Sequence, residues 1–356
     1  MASLAGVRQF DRRRAGLALL GIGISAVAVW LCVRSIDVGE VAHQLGHAQA
    51  GPLVVLVMVL AVQTAVRAFR WSLLLPRRDS RRIATRRTLP PMLVGYLGNA
   101  ILPARMGEPV RALLLARREN LAVAATFGSV VLERVVDTAT LALIVLPAAW
   151  MAGAPRWILD AATLAAVVAG VVLAVLSLVG LAGPAQAINR FSRRLGQGRA
   201  ATLMTELAGR FREFAMGVGA SHRRPAILVA ALLSVLAWAM DATLIWLAAL
   251  SLGITLEPAD AILIAGVAAL GTAVPSAPGY VGTYELAATA TSVALGVAPE
   301  SALAVAILAH ALTLLPMAGA GVVALLAIQR AGPRGAAAAS PATADGDPSP
   351  PVPSAV

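Results

Sequence analysis

Lysine is absent from this 356-residue chain, and all 29 basic residues are arginine. Cysteine occurs once, as Cys32 within an apolar run, which excludes a disulfide framework and a thiolate metal site. Charged residues amount to 13%, about half the usual share in soluble globular chains. No phosphate-binding glycine loop, serine nucleophile elbow or zinc motif occurs. His43 and His47 have the spacing of a metal pair but lack a third ligand. No metal and no cofactor are expected.

Hydrophobic residues make up 59% of the chain, and the mean hydropathy is +0.80. A soluble core could not hide that much apolar sequence, so the expectation is an all-α, polytopic helical membrane protein. The formal net charge of +11 could point to nucleic acid. The arginines instead cluster in loops between apolar segments, as positive-inside loops do. Membrane lipids are therefore the expected partners, with a homo-oligomer allowed and nucleic acid excluded.

Full spans are expected at 15–33, 52–75, 121–150, 157–182, 225–251 and 301–328. The N-terminal Arg12, Arg13 and Arg14 before an apolar run resemble a secretory signal. The run continues through Trp30 and Leu31, which favours an uncleaved first helix. Residues 1–14, 77–87 and 190–224 are arginine-rich, whereas 35–51, 151–156 and 252–260 hold Arg156 alone. That bias assigns both termini to the cytoplasm of a cell membrane. The domain reading is a cytoplasmic 1–14, a transmembrane 15–330 and a disordered tail over 331–356, rich in Ala, Pro, Ser and Gly.

Two regions do not fit simple spans. Residues 91–103 rise only about 20 Å as a helix, too little to cross, and both flanks are arginine-rich. A re-entrant hairpin from the cytoplasmic side is expected there. Residues 261–275 and 279–297 suggest a hairpin from the opposite face, or two shortened spans. The two regions share a pattern: Leu97-Gly98-Asn99-Ala100 and Pro103 against Leu270-Gly271-Thr272-Ala273 and Pro275. Glu133 follows Glu108 by the same 25 residues that separate His310 from Glu285. Opposite entry and matched spacing together suggest an inverted repeat.

Charges punctuate these apolar segments. Glu133 and Asp137 lie one helical turn apart, with Arg134 between them. An unpaired charge at the bilayer centre costs at least a few kcal/mol, so these must face the interior, either to fix the fold or to serve function. Arg67 and Arg70 share a face beside Trp71, which suits an interface anchor. Arg70 can snorkel, while Arg67 is deeper and expected to meet Glu133, Asp137 or a lipid phosphate. Glu108-Pro109 after Gly107 reads as a helix start, where an acidic residue complements the dipole. With Arg105 and Arg111 beside it, that start also reads as an anion site. Asp241 lies deep in its span, and His310 is read as a structural residue. Gly21 and Gly23 are read as packing glycines.

Three blocks carry a resemblance: Leu102-Pro103-Ala104-Arg105-Met106-Gly107-Glu108-Pro109-Val110-Arg111, Glu133-Arg134-Val135-Val136-Asp137, and Pro275-Ser276-Ala277-Pro278-Gly279-Tyr280-Val281-Gly282-Thr283-Tyr284-Glu285. They resemble the signature blocks of the lysylphosphatidylglycerol synthase transmembrane-region, or flippase-like, family. The resemblance covers nearly all of 15–330. It implies a membrane domain that moves an aminoacylated or other anionic lipid, or a lipid-linked intermediate, between leaflets. The soluble aminoacylating domain of the best-known members has no counterpart here, so synthase activity is not implied. One departure is Tyr280, where relatives often carry a small residue.

The leading expectation is a lipid translocator rather than an enzyme. Arg67, Arg105 and Arg111 would hold a phosphate headgroup. Glu133, Asp137 and Glu285 would orient them, bind a cationic headgroup or exchange protons, with Glu108 and Arg134 in the same site. Pro103, Gly107, Pro275, Gly279 and Gly282 would permit the breaks. The alternatives are a membrane-embedded transferase acting on a lipid-linked sugar, with clustered carboxylates as acid and base, and an accessory scaffold for envelope synthesis.

Overall fold

The computed structural model describes residues 2–76, 82–103, 105–182, 199–219 and 224–331. The tail read as disordered lies outside them from 332 onward, as do Arg77, Arg78, Arg81, Arg190, Arg193, Arg194 and Arg223. The described residues are helical, without strands. In chain order the helices are α1 (Ala2–Val33), α2 (Val38–Gly46), α3 (Ala50–Leu74), α4 (Thr85–Ile101), α5 (Gly107–Glu119) and α6 (Val123–Met151). Then come α7 (Arg156–Ala182), α8 (Arg199–Gly219), α9 (Arg224–Ser251), α10 (Pro258–Gly271), α11 (Thr283–Ala294) and α12 (Pro299–Arg330), with a 3₁₀ turn at Pro278–Tyr280 before α11.

Each expected span falls within a single helix or, for 52–75 and 121–150, runs one or two residues past its end. Among the described residues three helices are long and apolar enough to cross a bilayer: α3, the Pro225–Ser251 part of α9, and α12. A fourth crossing results if Leu19–Val33 and Val38–Gly46, bent by 86°, count as one broken span. The 29-residue α6 has the length, but Glu133, Arg134 and Asp137 sit in its middle.

Two helices stand where loops are expected. Within 35–51, Asp37 starts α2 by accepting the N–H groups of Gly39 (2.8 Å) and Glu40 (3.3 Å). Within 190–224, α8 packs along α6, burying Ala208 and Val218 while Arg210 and Arg212 face outward. A Cβ on Gly217 would lie 1.9 Å from the Ala125 carbonyl oxygen, so this contact admits only glycine. α4 begins at Thr85 rather than at 91 and runs through Pro90 and Pro91, which lack the N–H that would bond the carbonyls four residues back.

α4 and α5 form one helical hairpin, and α10 and α11 form another. The shared Leu-Gly motif has the same task in both. A Cβ on Gly98 would meet Gly107 Cα at 2.8 Å, and one on Gly271 would meet the Thr283 carbonyl at 2.7 Å. Each motif glycine thus lets the next helix start against the end of the last.

The packing repeats as well. Exchanging α3, α4, α5 and α6 for α9, α10, α11 and α12 leaves the set of contacting pairs unchanged. α4 packs on α12 as α10 packs on α6, and α3 packs on its counterpart α9. Leu93 of α4 lies against Gly321 of α12, and Gly266 of α10 lies against Val145 of α6. Residue 266 follows 93 by the same 173 positions that separate the motif glycines. α1 packs on α11 from outside this frame, α2 on α12, and α7 and α8 on α6.

Candidate functional site

The charged residues fall into two layers. In the inner layer Arg70 is 1% exposed. Its guanidinium donates to Glu133 (2.7 Å), to both carboxylate oxygens of Asp137 and to the Ser234 hydroxyl (2.7 Å). Arg111 donates to the other Glu133 oxygen at 2.9 Å and to Glu108 at 2.8 Å. Its guanidinium carbon lies 4.6 Å from the ring centre of Trp71. Two guanidinium groups are thus set among three carboxylates on α5 and α6, and both oxygens of Glu133 are bonded. Such pairing is the condition under which buried charges are tolerated.

This corrects two expectations and part of a third. Arg70 does not snorkel. Trp71 is fully buried, donating to the Ser129 hydroxyl at 3.2 Å, so it is no interface anchor. Arg67 meets neither Glu133 nor Asp137: its guanidinium bonds Asp241 at 2.5 Å, and Gln63 donates to the same carboxylate at 2.7 Å. Residues three apart differ by about 60° around a helix. That turn aims Arg70 at α6 and Arg67 at α9.

The outer layer surrounds a cavity of about 260 Å³ between the hairpins. Of the candidate residues, Arg67, Arg105, Glu108 and Arg134 line it. Arg111, Glu133 and Asp137 do not; they form the bonded layer behind it. Reading the sequence as a site missed the contributions of Asp241, Gln63, Thr272, Tyr284 and His310 to the wall. Three guanidinium groups therefore face two carboxylates across the cavity.

Arg105 differs from the other arginines. Its guanidinium donates to the carbonyl (3.1 Å) and hydroxyl (2.5 Å) of Thr272 in the opposite hairpin. Among the described residues no carboxylate forms an ion pair with it. It lies over the Tyr280 ring at 5.4 Å. Its φ of 55° is in the left-handed region, which non-glycine residues rarely occupy. Arg134 is held loosely, at 3.3 Å from Glu133 and 3.7 Å from both Glu108 and Asp137.

The second hairpin's break does not reach the cavity through Pro275, Gly279, Gly282 or Glu285. Pro275 is exposed. Gly279 (φ 72°) and Gly282 (φ 91°) turn the chain. A Cβ on Gly282 would lie 2.7 Å from the Ser25 carbonyl of α1, and Gly21 is as tight against Ser276. A Cβ on Gly23, read with Gly21 as a packing glycine, would meet nothing within 4 Å beyond its own helix. Glu285 accepts the Gly282 N–H at 2.6 Å and pairs with His310 Nδ1 at 2.6 Å. His310 stacks on Tyr284 with centroids 4.3 Å apart, and both rings line the cavity.

The chain is 28% identical over 319 residues to "Glycosyltransferase AglD" of Haloferax volcanii, covering 82% of this chain and 51% of the relative. It is 30% identical over 125 residues to a "UPF0104 membrane protein" of Methanothermobacter thermautotrophicus, covering 35% of this chain and 36% of that one. The aligned parts thus span about half and about a third of these relatives. Residues 18–321 match the family described as "Lysylphosphatidylglycerol synthase TM region", and with that match over most of its length the chain belongs to this family of membrane proteins.

Proposed function

We propose that this protein is a flippase-like translocator that moves an anionic or aminoacylated phospholipid, or a lipid-linked intermediate, between the leaflets of the cell membrane. The observation that carries this reading is Arg105, a guanidinium that has no ion-pair partner among the described residues and faces a cavity in an apolar helical bundle. A cation there lacks a counter-charge until an anion arrives, and a phosphate headgroup supplies one. Arg67 and Arg134 flank the same space. Glu108 and Asp241 give a cationic headgroup, such as an aminoacyl amine, a place to bind.

In this reading the protein has six full spans, with both termini cytoplasmic. The hairpins α4–α5 and α10–α11 enter from opposite faces as halves of an inverted repeat. The helices of these hairpins have 12 to 17 residues, about 18 to 26 Å, short of a bilayer core. Pro275, Gly279 and Gly282 serve the break, and Glu285 holds the start of α11.

The test is headgroup translocation in proteoliposomes, using purified protein and labelled anionic phospholipid. The wild type is expected to move the label, and folded Arg105→Ala to lose most of that movement. Full movement in Arg105→Ala would overturn the site. The likeness to a relative named as a glycosyltransferase favours a second reading, a membrane-embedded step on a lipid-linked sugar. Product formed by purified protein from a lipid-linked sugar donor, without translocation, would establish that reading instead.

A further inference from the structure

A second groove adjoins the polar cavity. It has a volume of about 250 Å³, lies between α6 and α7, and has walls of Phe127, Val130, Val131, Val135, Val168 and Val172. The hydroxyl of Thr138, also in the wall, is spent on the Arg134 carbonyl at 2.9 Å. Glu108 and Arg134 line both the groove and the cavity. The two spaces therefore meet at this ion pair, with charge on one side and hydrocarbon on the other.

We infer that the α6–α7 groove holds a hydrocarbon chain of the lipid whose headgroup occupies the cavity, and that the Glu108–Arg134 pair is the sill over which the two parts join. This rests on the translocator reading and extends it to the other end of the substrate. An anion site next to an apolar groove complements an amphiphile and fits neither a free phosphate ion nor a peptide. The sill is suited to passage. Arg70 and Arg111 are fixed by short bonds, whereas Arg134, with a side chain 35% exposed, has contacts of 3.3 to 3.7 Å. It can swing toward a phosphate without breaking a close hydrogen bond. Val168 is 51% exposed, so the groove is open along α7.

The test uses two photoreactive phosphatidylglycerol probes in phosphatidylcholine vesicles, one reactive in the acyl chain and one in the headgroup. Labelled positions are mapped by peptide mass spectrometry. The acyl probe is expected to label 127–138 and 168–172, and the headgroup probe the cavity wall. Val168→Trp fills the groove from an exposed position that does not threaten folding, and Val131→Trp fills it from the opposite wall. Acyl labelling in the groove should fall about tenfold, the effect of excluding roughly two methylenes. Headgroup labelling of the cavity with acyl labelling spread evenly over outer faces such as Leu164 and Val171 would overturn the groove and spare the translocator reading. Absence of cavity labelling by the headgroup probe would overturn both.

Discussion

Nδ1 of His310 lies 2.6 Å from Oε1 of Glu285, 25 residues before it, and in the other half Arg111 joins Glu108 to Glu133 across the same separation. In both halves the second helix of the hairpin is tied to the long helix that follows. One tie is direct and the other runs through a guanidinium.

The tie in the second half gives a graded result. Glu285→Ala removes both the cap on Gly282 and the partner of His310, with an expected loss of about 2–3 kcal/mol. His310→Phe keeps a ring on Tyr284 and loses one hydrogen bond, about 1 kcal/mol. Thermal unfolding in detergent should therefore rank wild type above His310→Phe above Glu285→Ala. The reverse order of the two variants would refute the capping role.

Glu133 should behave as a structural residue. Glu133→Ala leaves Arg70 and Arg111 short of counter-charge in the buried layer, a loss of about 3–5 kcal/mol. Its melting temperature should fall well below that of Arg105→Ala, which gives up the bonds to Thr272 and the contact with the Tyr280 ring but strands no buried charge. Equal melting temperatures would show that the inner layer does not hold the fold.

Arg105→Gly separates stability from binding. Glycine relieves the positive φ, a gain of about 1 kcal/mol. The same change removes a charge-assisted contact worth about 1.5–3 kcal/mol to a bound anion, about tenfold to a hundredfold in affinity. The bonds to Thr272 and the contact with Tyr280 are lost in glycine and alanine alike, so Arg105→Gly melting above Arg105→Ala, with both binding an anionic lipid more weakly than wild type, is the expected pair of results. Unchanged lipid affinity would exclude Arg105 from the headgroup site.

Glycines divide by contact. A Cβ on Gly107 would lie 1.9 Å from the Gly95 carbonyl oxygen, so Gly107→Ala must push α4 and α5 apart, at about 1–3 kcal/mol or more. A Cβ on Gly319, in the middle of α12, would meet nothing within 4 Å, and Gly319→Ala should gain about 0.5–1 kcal/mol from helix propensity. Melting curves of the two variants should move in opposite directions.

What was legible in the sequence is local. Apolar runs located the long helices, the Pro and Gly breaks located the hairpins, and helical spacing placed Glu133 and Asp137 on one face. The repeat was visible because its Leu-Gly motif and its 25-residue spacings are short-range patterns. The partners of the arginines were not legible. Arg67 finds Asp241 at a separation of 174 residues, and Arg105 finds Thr272 at 167. Those pairings cross from one half to the other, and nothing local encodes them. α8 did leave a signal in Ala208, Phe211, Phe214 and Val218, spaced by three or four residues, which its arginines obscured.

The inner layer also constrains how such a chain can diverge. Arg70, Arg111, Glu133 and Asp137 depend on one another, so changing any one strands a charge, and only paired changes are neutral. Arg105 and Tyr280 on the cavity wall touch each other, but among the described residues neither holds a counter-charge, so a change at either strands no ion. A lineage built on this plan would keep its buried ions as a block while the wall drifts, and in the translocator reading a change of headgroup would come from substitutions there.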